Sequence, residues 1–248
     1  MYISNIIFSQ KAIDEEILDL INILIHFLHH QGVSIMLRNF SFQRNNEIVV
    51  QIKIPEQNSL ANITEYKWSK KLLEVGVDIQ VEILGKDIET NEVCICSKPS
   101  FYIFLGTPNI PLVCGDCQNS VPLYRIPYTD ESDNNYYNIC CWNKENLAWS
   151  EIEFYSFEEP FAHKQLCDIS SSHNKTALEL RYIIEKVSQT KCYYYLEELR
   201  YVKNLKIAKD KKCPCCGGIW YQKEKILNLY DFKCDNCQIL STLANLDE

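Results

Sequence analysis

The chain has 248 residues, 46% hydrophobic and 12% aromatic, with a formal charge of −8. That length supplies a real core and room for more than one domain, and the apolar content excludes general disorder. Thirteen cysteines without a secretory leader favour a reducing compartment and metal ligation over disulfides. The opening residues Met1-Tyr-Ile-Ser-Asn-Ile-Ile-Phe8 offer neither a basic n-region nor a small-residue cleavage site. The longest apolar stretch, Ile17 to Leu28, is interrupted by Asp19, Asn22 and His26 and is too short to span a bilayer. A cytoplasmic protein with no membrane contact is expected.

Tyr2 to Phe8 reads as a short apolar strand. Ala12 to His30 places Ile13, Ile17, Leu20, Ile21, Leu24, Ile25 and Leu28 on one helical face, with Gly32 as its C-cap. Val33 to Phe40 and Glu47 to Ile54 read as strands joined by the polar turn at Gln43-Arg-Asn-Asn46. A helix follows from Ser59, its N-cap, to Val75, stopped by Gly76. Val77 to Leu84 alternates cleanly as a strand. The order β-α-β-β-α-β predicts an α+β, ferredoxin-like sandwich, a fold that by itself says little about activity.

Phe101 to Gly106 is a further strand, and Pro108, Pro111, Pro122 and Pro127 mark a turn-rich stretch. Thr129 to Asn138 reads as a polar loop. Ser170 to His173 precedes a helix from Asn174 to Ser188, and Cys192 to Leu196 forms an aromatic strand. Lys203 to Lys212 reads as a basic linker or hairpin. The expected organisation is a ferredoxin-like domain over 1–98, a mixed α/β middle region over 99–202 and a C-terminal ribbon over 203–248.

The ribbon carries the sharpest motif. Cys213-Pro-Cys-Cys216-Gly-Gly and Cys234-Asp-Asn-Cys237 are separated by seventeen residues, the spacing of a four-thiolate Zn2+ site. Two residues between partners let one knuckle aim both sulfurs at one ion, and the intervening segment reads as a hairpin. Such a closed tetrahedral site leaves no position for water activation, so it is structural. A third pair, Cys114-Gly-Asp-Cys117, has no tight companion. It suits either a second metal, completed by Cys140 or Cys141, Cys167 or His163, or a tight turn with inert thiols. Redox use would want a helix N-terminus, which Val121-Pro-Leu-Tyr124 does not suggest.

His26, His29 and His30 share one helical face, where histidines ordinarily complement the helix dipole. Asp168, His163 and His173 neighbour Cys167 only in sequence, and no phosphate loop, nucleotide fingerprint, metalloprotease helix or nucleophile elbow occurs. A non-enzymatic protein is expected.

Charge is unevenly placed. Arg200 to Cys237 holds nine lysines and arginines against four carboxylates, whereas Asp130 to Pro160 holds eight carboxylates against Lys144. Lys211, Lys212, Lys223, Lys225 and Lys233 with Trp220 form a candidate nucleic-acid surface in which an aromatic stacks bases and lysines hold phosphates. The competing reading is that the ribbon's aromatics pack around its own metal.

Phe101-Tyr-Ile-Phe-Leu-Gly106, Pro111-Leu-Val-Cys-Gly-Asp-Cys117 and Val121-Pro-Leu-Tyr-Arg-Ile-Pro127 resemble a bacterial family of uncharacterised proteins. Cys192-Tyr-Tyr-Tyr-Leu196, Cys213-Pro-Cys-Cys-Gly-Gly-Ile-Trp220 and Asp231-Phe-Lys-Cys-Asp-Asn-Cys237 continue the likeness. That family is described as zinc-ribbon-containing, with nucleic-acid binding suggested. The resemblance implies zinc at Cys213, Cys216, Cys234 and Cys237.

Two functions are expected from these features. The first is binding of a protein partner, as by an immunity protein whose acidic surplus neutralises a basic nuclease toxin. The alternative is a nucleic-acid-binding accessory role through the ribbon and its basic segment.

Overall fold

The computed structural model describes residues 1–127, 136–155, 158–197 and 205–243. It is a mixed α+β chain with two sheets. Two compact units form, residues 1–93 with 119–140, and residues 94–118 with 141–248.

The first unit contains β1 (Tyr2–Ser9), α1 (Glu15–His30), β2 (Ile35–Arg44), β3 (Glu47–Ile54), α2 (Lys67–Glu74) and β4 (Asp78–Lys86). Its strands lie in the order β2-β3-β1-β4, each neighbouring pair antiparallel. Ile6 and Phe8 of β1 and Val50, Ile52 and Ile54 of β3 alternate onto one face. They meet Ile17, Ile21, Leu24 and Leu28 of α1 and Leu72 of α2 in a single core.

The first helix begins three residues later than its periodicity predicts. Asp14 is the N-cap, its side chain accepting from the Ile17 amide at 3.0 Å, an arrangement Ala12 has no oxygen to make. Its C-cap is Gln31, and Gly32, one residue beyond, takes φ +68. The Gly32 amide donates to His29 O (2.9 Å) and the Val33 amide to Leu28 O (3.0 Å), which closes the last turn.

The helix expected over Ser59–Val75 is shorter, its first half being turns and a 3-10 segment at Ile63–Glu65. Ser59 caps no helix; its hydroxyl accepts from the Glu56 amide at 3.0 Å. Asn58, Ser59, Asn62 and Thr64 all offer local side-chain bonds that compete with a helical ladder. Residues 119–127 add a short 3-10 turn at Leu123–Arg125. There Tyr124 Oη donates to Glu56 Oε2 (2.6 Å), and Arg125 pairs with the same carboxylate at 2.6 Å.

The second unit holds β5 (Phe101–Phe104), β6 (Leu112–Cys114), most of α3 (Tyr137–Phe154), α4 (Glu159–Cys167) and α5 (Ser172–Ser188). After them come β7 (Lys191–Tyr195), α6 (Leu205–Asp210), β8 (Tyr221–Ile226), β9 (Tyr230–Cys234) and β10 (Ile239–Ser241). These strands form one sheet in the order β6-β5-β7-β10-β9-β8. The β5–β7 and β7–β10 pairs are parallel and the others antiparallel.

Helices α3 and α4 answer to no sequence expectation, and α3 takes up Tyr137 and Asn138, the end of the predicted polar loop; residues 129–135 of that loop lie outside the described residues. The buried residues of α3 are Ile139, Cys140, Trp142, Asn146 and Glu153. Asn146 and Glu153 among them are polar, so hydrophobic periodicity hides the face that actually packs.

Trp142 stacks on His173 (5.1 Å between ring centroids, 10° between planes) and leans on Phe104 at 4.3 Å. His173 Nε2 lies 2.9 Å from Asn146 Oδ1. Burial holds the His173 imidazole below its usual pKa, against the opposing pull of Glu145. The unfolded chain therefore takes up a proton near pH 6.5 that the folded chain refuses. This contribution to stability is present above about pH 6.5 and is lost as pH falls through that value. The unfolding free energy from urea titrations should fall as pH drops below about 6.5, by at most about 1.4 kcal/mol per pH unit for this group. His173→Gln should flatten that slope, and an unchanged slope would contradict the assignment.

Candidate metal centres

Both four-cysteine groups lie in the second unit. In the first, Cys213, Cys216, Cys234 and Cys237 bring their sulfurs within 4.8 Å of one another, in a geometry that could hold a metal ion. Cys216 Sγ and Cys234 Sγ are 3.7 Å apart. Cys213 follows the bridge between Lys212 and Ile219, and Cys234 ends β9. The Cys213 amide donates to Gly218 O, and the Gly217 amide donates to Cys213 O, both at 2.8 Å. Gly217 takes φ +70, where a side chain would be strained.

The second group unites Cys114 and Cys117 with Cys94 and Cys96, again within 4.8 Å. Cys114 ends β6 in register with Tyr102 of β5. The Cys96 amide lies 3.3 Å from Cys94 Sγ and the Asp116 amide 3.4 Å from Cys114 Sγ, both aimed to donate. Asp116 is itself anchored, accepting from the Ser100 amide at 2.8 Å and from the Ser100 hydroxyl.

Charge in these groups is unfavourable without a cation. Burial and neighbouring thiols push Cys213 up to about 11, and a hydrogen bond with Cys117 leads the causes that push Cys96 up to about 11. Burial also raises Cys94 and Cys237. Cys216 moves the other way, to about 7, because the Gly218 amide favours its thiolate. Crowded thiolates repel one another, and a divalent ion at their centre reverses that cost.

The partners expected for Cys114 and Cys117 are not the ones the fold supplies. Cys140 Sγ donates to His29 O at 3.6 Å, within the first unit. His163 Nδ1 lies 2.7 Å from Glu153 Oε1 and 3.7 Å from Cys167 Sγ. Both contacts fall on one ring nitrogen, so no nucleophile–base–carboxylate relay forms. Asp168 accepts from Ser170, and His173 belongs to the Trp142 stack. At the end of α1, the His30 ring packs edge-on to Tyr137 at 4.7 Å.

Cys94 and Cys96 were legible in one respect. Seventeen residues separate Cys96 from Cys114, as they separate Cys216 from Cys234. The Cys-x-Cys spacing hid the pair, because only Cys-x-x-Cys invites a knuckle reading.

Of the candidate nucleic-acid residues, Lys212, Lys223 and Lys225 are exposed, and Lys211 and Lys233 are half-buried. Lys225 pairs with Asp231 (3.2 Å) and Lys233 with Asp235 (3.0 Å), with Lys233 also over the Tyr193 ring. Trp220 is 5% exposed and stacks on Phe232 at 4.7 Å.

Fold and site together define a mixed α+β protein carrying two four-cysteine centres. Residues 96–197 match a family model described as a domain of unknown function (DUF2310), and residues 203–246 match a second domain of unknown function (DUF8594). The chain is 24% identical over 198 residues to an uncharacterized protein of Haemophilus influenzae, covering 77% of this chain and 93% of that protein. A second uncharacterized protein of that organism is 23% identical over 206 residues, covering 79% of this chain and 77% of its own length. These similarities are to bacterial proteins and domains of unknown function. Among the described residues, no helix is long and apolar enough to cross a membrane.

Proposed function

We propose that the chain is a non-enzymatic cytoplasmic protein that binds a protein partner, its C-terminal module, residues 203–248, folded around Zn2+ as a ribbon. Zinc suits the donors: four thiolates at the usual Zn–S distance of about 2.3 Å have sulfurs about 3.8 Å apart, against 3.7 Å between Cys216 and Cys234. The order β2-β3-β1-β4 with its two helices supports a ferredoxin-like first unit.

The observation that carries the partner reading is the direction of the ribbon's apolar groups. Trp220 and Phe232 stack inward, while Ile219 is 81% exposed and Leu229 50% exposed. The module withholds its largest aromatics from bases and presents aliphatic side chains, which suit a protein surface. The net charge of −8 adds attraction for a basic partner, and a nuclease toxin neutralised by an immunity protein is the class proposed.

Co-expression and pull-down with a basic nuclease encoded beside the gene should recover a complex and protect the host from that nuclease. Ile219→Asp should weaken the complex at least about tenfold, roughly 1.4 kcal/mol. Neither binding nor protection would remove this reading.

The exposed Lys212 and Lys223 favour the second reading, a nucleic-acid-binding accessory protein. It requires gel-shift retention that falls steeply with salt and weakens when both lysines are neutralised.

A further inference from the structure

The geometry points to a second structural zinc site, formed by Cys94, Cys96, Cys114 and Cys117, that is filled independently of the ribbon. The four sulfurs lie within 4.8 Å of one another, as in the ribbon. Cys94 is 1% exposed and Cys114 fully buried. None of the four is joined in a disulfide.

The local backbone makes the stronger case. Three Cys-x-x-Cys turns occur in the chain, and each is followed by a residue in the left-handed region. Gln118 has φ +59 after Cys117, Gly217 has φ +70 after Cys216, and Gln238 has φ +53 after Cys237. In the turn at Cys114 the Gln118 amide donates to Cys114 O at 2.9 Å, as the Gly217 amide donates to Cys213 O at 2.8 Å. Cys114 and Cys234 moreover occupy the same place, the last residue of a strand. Glutamine gains nothing intrinsically from positive φ, a conformation costing roughly 1–2 kcal/mol. The turn after Cys114 therefore carries the same strain as the turn after Cys237, where Gln238 takes φ +53, and ligation of one ion by both sulfurs offsets it. At Gly115, a Cβ would lie 2.5 Å from the Phe101 ring, so the knuckle is seated tightly on β5.

The placement also assigns a role. Residues 94–118 are one continuous segment of the second unit. Cys94 and Cys96 stand at its beginning and Cys114 and Cys117 at its end. One tetrathiolate ion ties both ends together and fixes the β5–β6 hairpin between them. Soft sulfur donors in a closed tetrahedron select zinc, with iron as the competing ion.

The test is elemental analysis for zinc and iron on the full chain as purified from cells with reductant present, together with Cys216→Ser and the double variant Cys96→Ser/Cys117→Ser. The expected zinc content is two per chain in the wild type and one in each variant. If the ribbon reading alone fails, the wild type and Cys216→Ser both hold one zinc and the double variant holds none, which leaves this proposal standing. A wild type holding one zinc and a Cys216→Ser variant holding none overturn it. Iron in the second site, or mass-spectrometric detection of disulfides among these four cysteines, overturns it as well. Where the double variant fails to fold, a wild-type content of two against one in Cys216→Ser still decides.

Discussion

Cys216→Ser is expected to lose the metal proposed for Cys213, Cys216, Cys234 and Cys237 and to melt the segment from Lys212 to Ser241. The serine hydroxyl is a poor ligand for a soft site, and three thiolates of a crowded set then remain without full coordination. Apparent binding free energies of structural zinc run to roughly 10–16 kcal/mol, and in a small module that energy is folding energy. Cys216 and Gly217 are exposed, and a Cβ at Gly217 would meet nothing within 4 Å. Unfolding should extend into the sheet, because β10 pairs with β7 as well as with β9. Limited proteolysis should therefore cut the variant between β8 and β10 at protease levels that leave the wild type intact. Retained stoichiometric zinc with unchanged protease resistance would refute the assignment.

Trp142→Ala should be the most destabilising single change among the uncharged core residues of the second unit. The side chain is 2% exposed and touches Phe104, His173 and Tyr194. Its indole N–H donates to His173 O at 3.3 Å, so truncation opens a cavity and also leaves that carbonyl short of a donor. The expected cost is about 3–5 kcal/mol, or a fall in Tm of roughly 10 °C. Metal content should be unchanged, since neither four-cysteine group includes Trp142. Calorimetry with parallel metal analysis checks both parts, and a shift of less than about 2 °C would contradict the packing account.

Legibility in the sequence varied with the physics of each element. Helix α1 and strand β1 can be found because their buried residues, Ser4 apart, are all apolar. Helix α3 could not, because Asn146 and Glu153 occupy buried positions that periodicity assigns to solvent. The start of α2 is hidden for a local reason: Ser59, which reads as an N-cap, turns its hydroxyl to the Glu56 amide instead. The ribbon's ligands stood out through paired spacing alone. Cys94 and Cys96 required the fold, since nothing local says that a Cys-x-Cys segment will meet a turn beyond the intervening β5–β6 hairpin. Ring burial is likewise invisible in sequence: Trp220 among lysines reads as a stacking platform until Phe232 is placed against it.

Hydrogen exchange of β8, β9 and β10, measured before and after treatment with a strong chelator, separates a module held by metal from one that folds without it. Amide protection from Tyr221 to Ser241 is expected to be lost once the metal proposed for Cys213, Cys216, Cys234 and Cys237 is removed. Protection that persists in those strands after elemental analysis shows the metal gone would contradict that expectation.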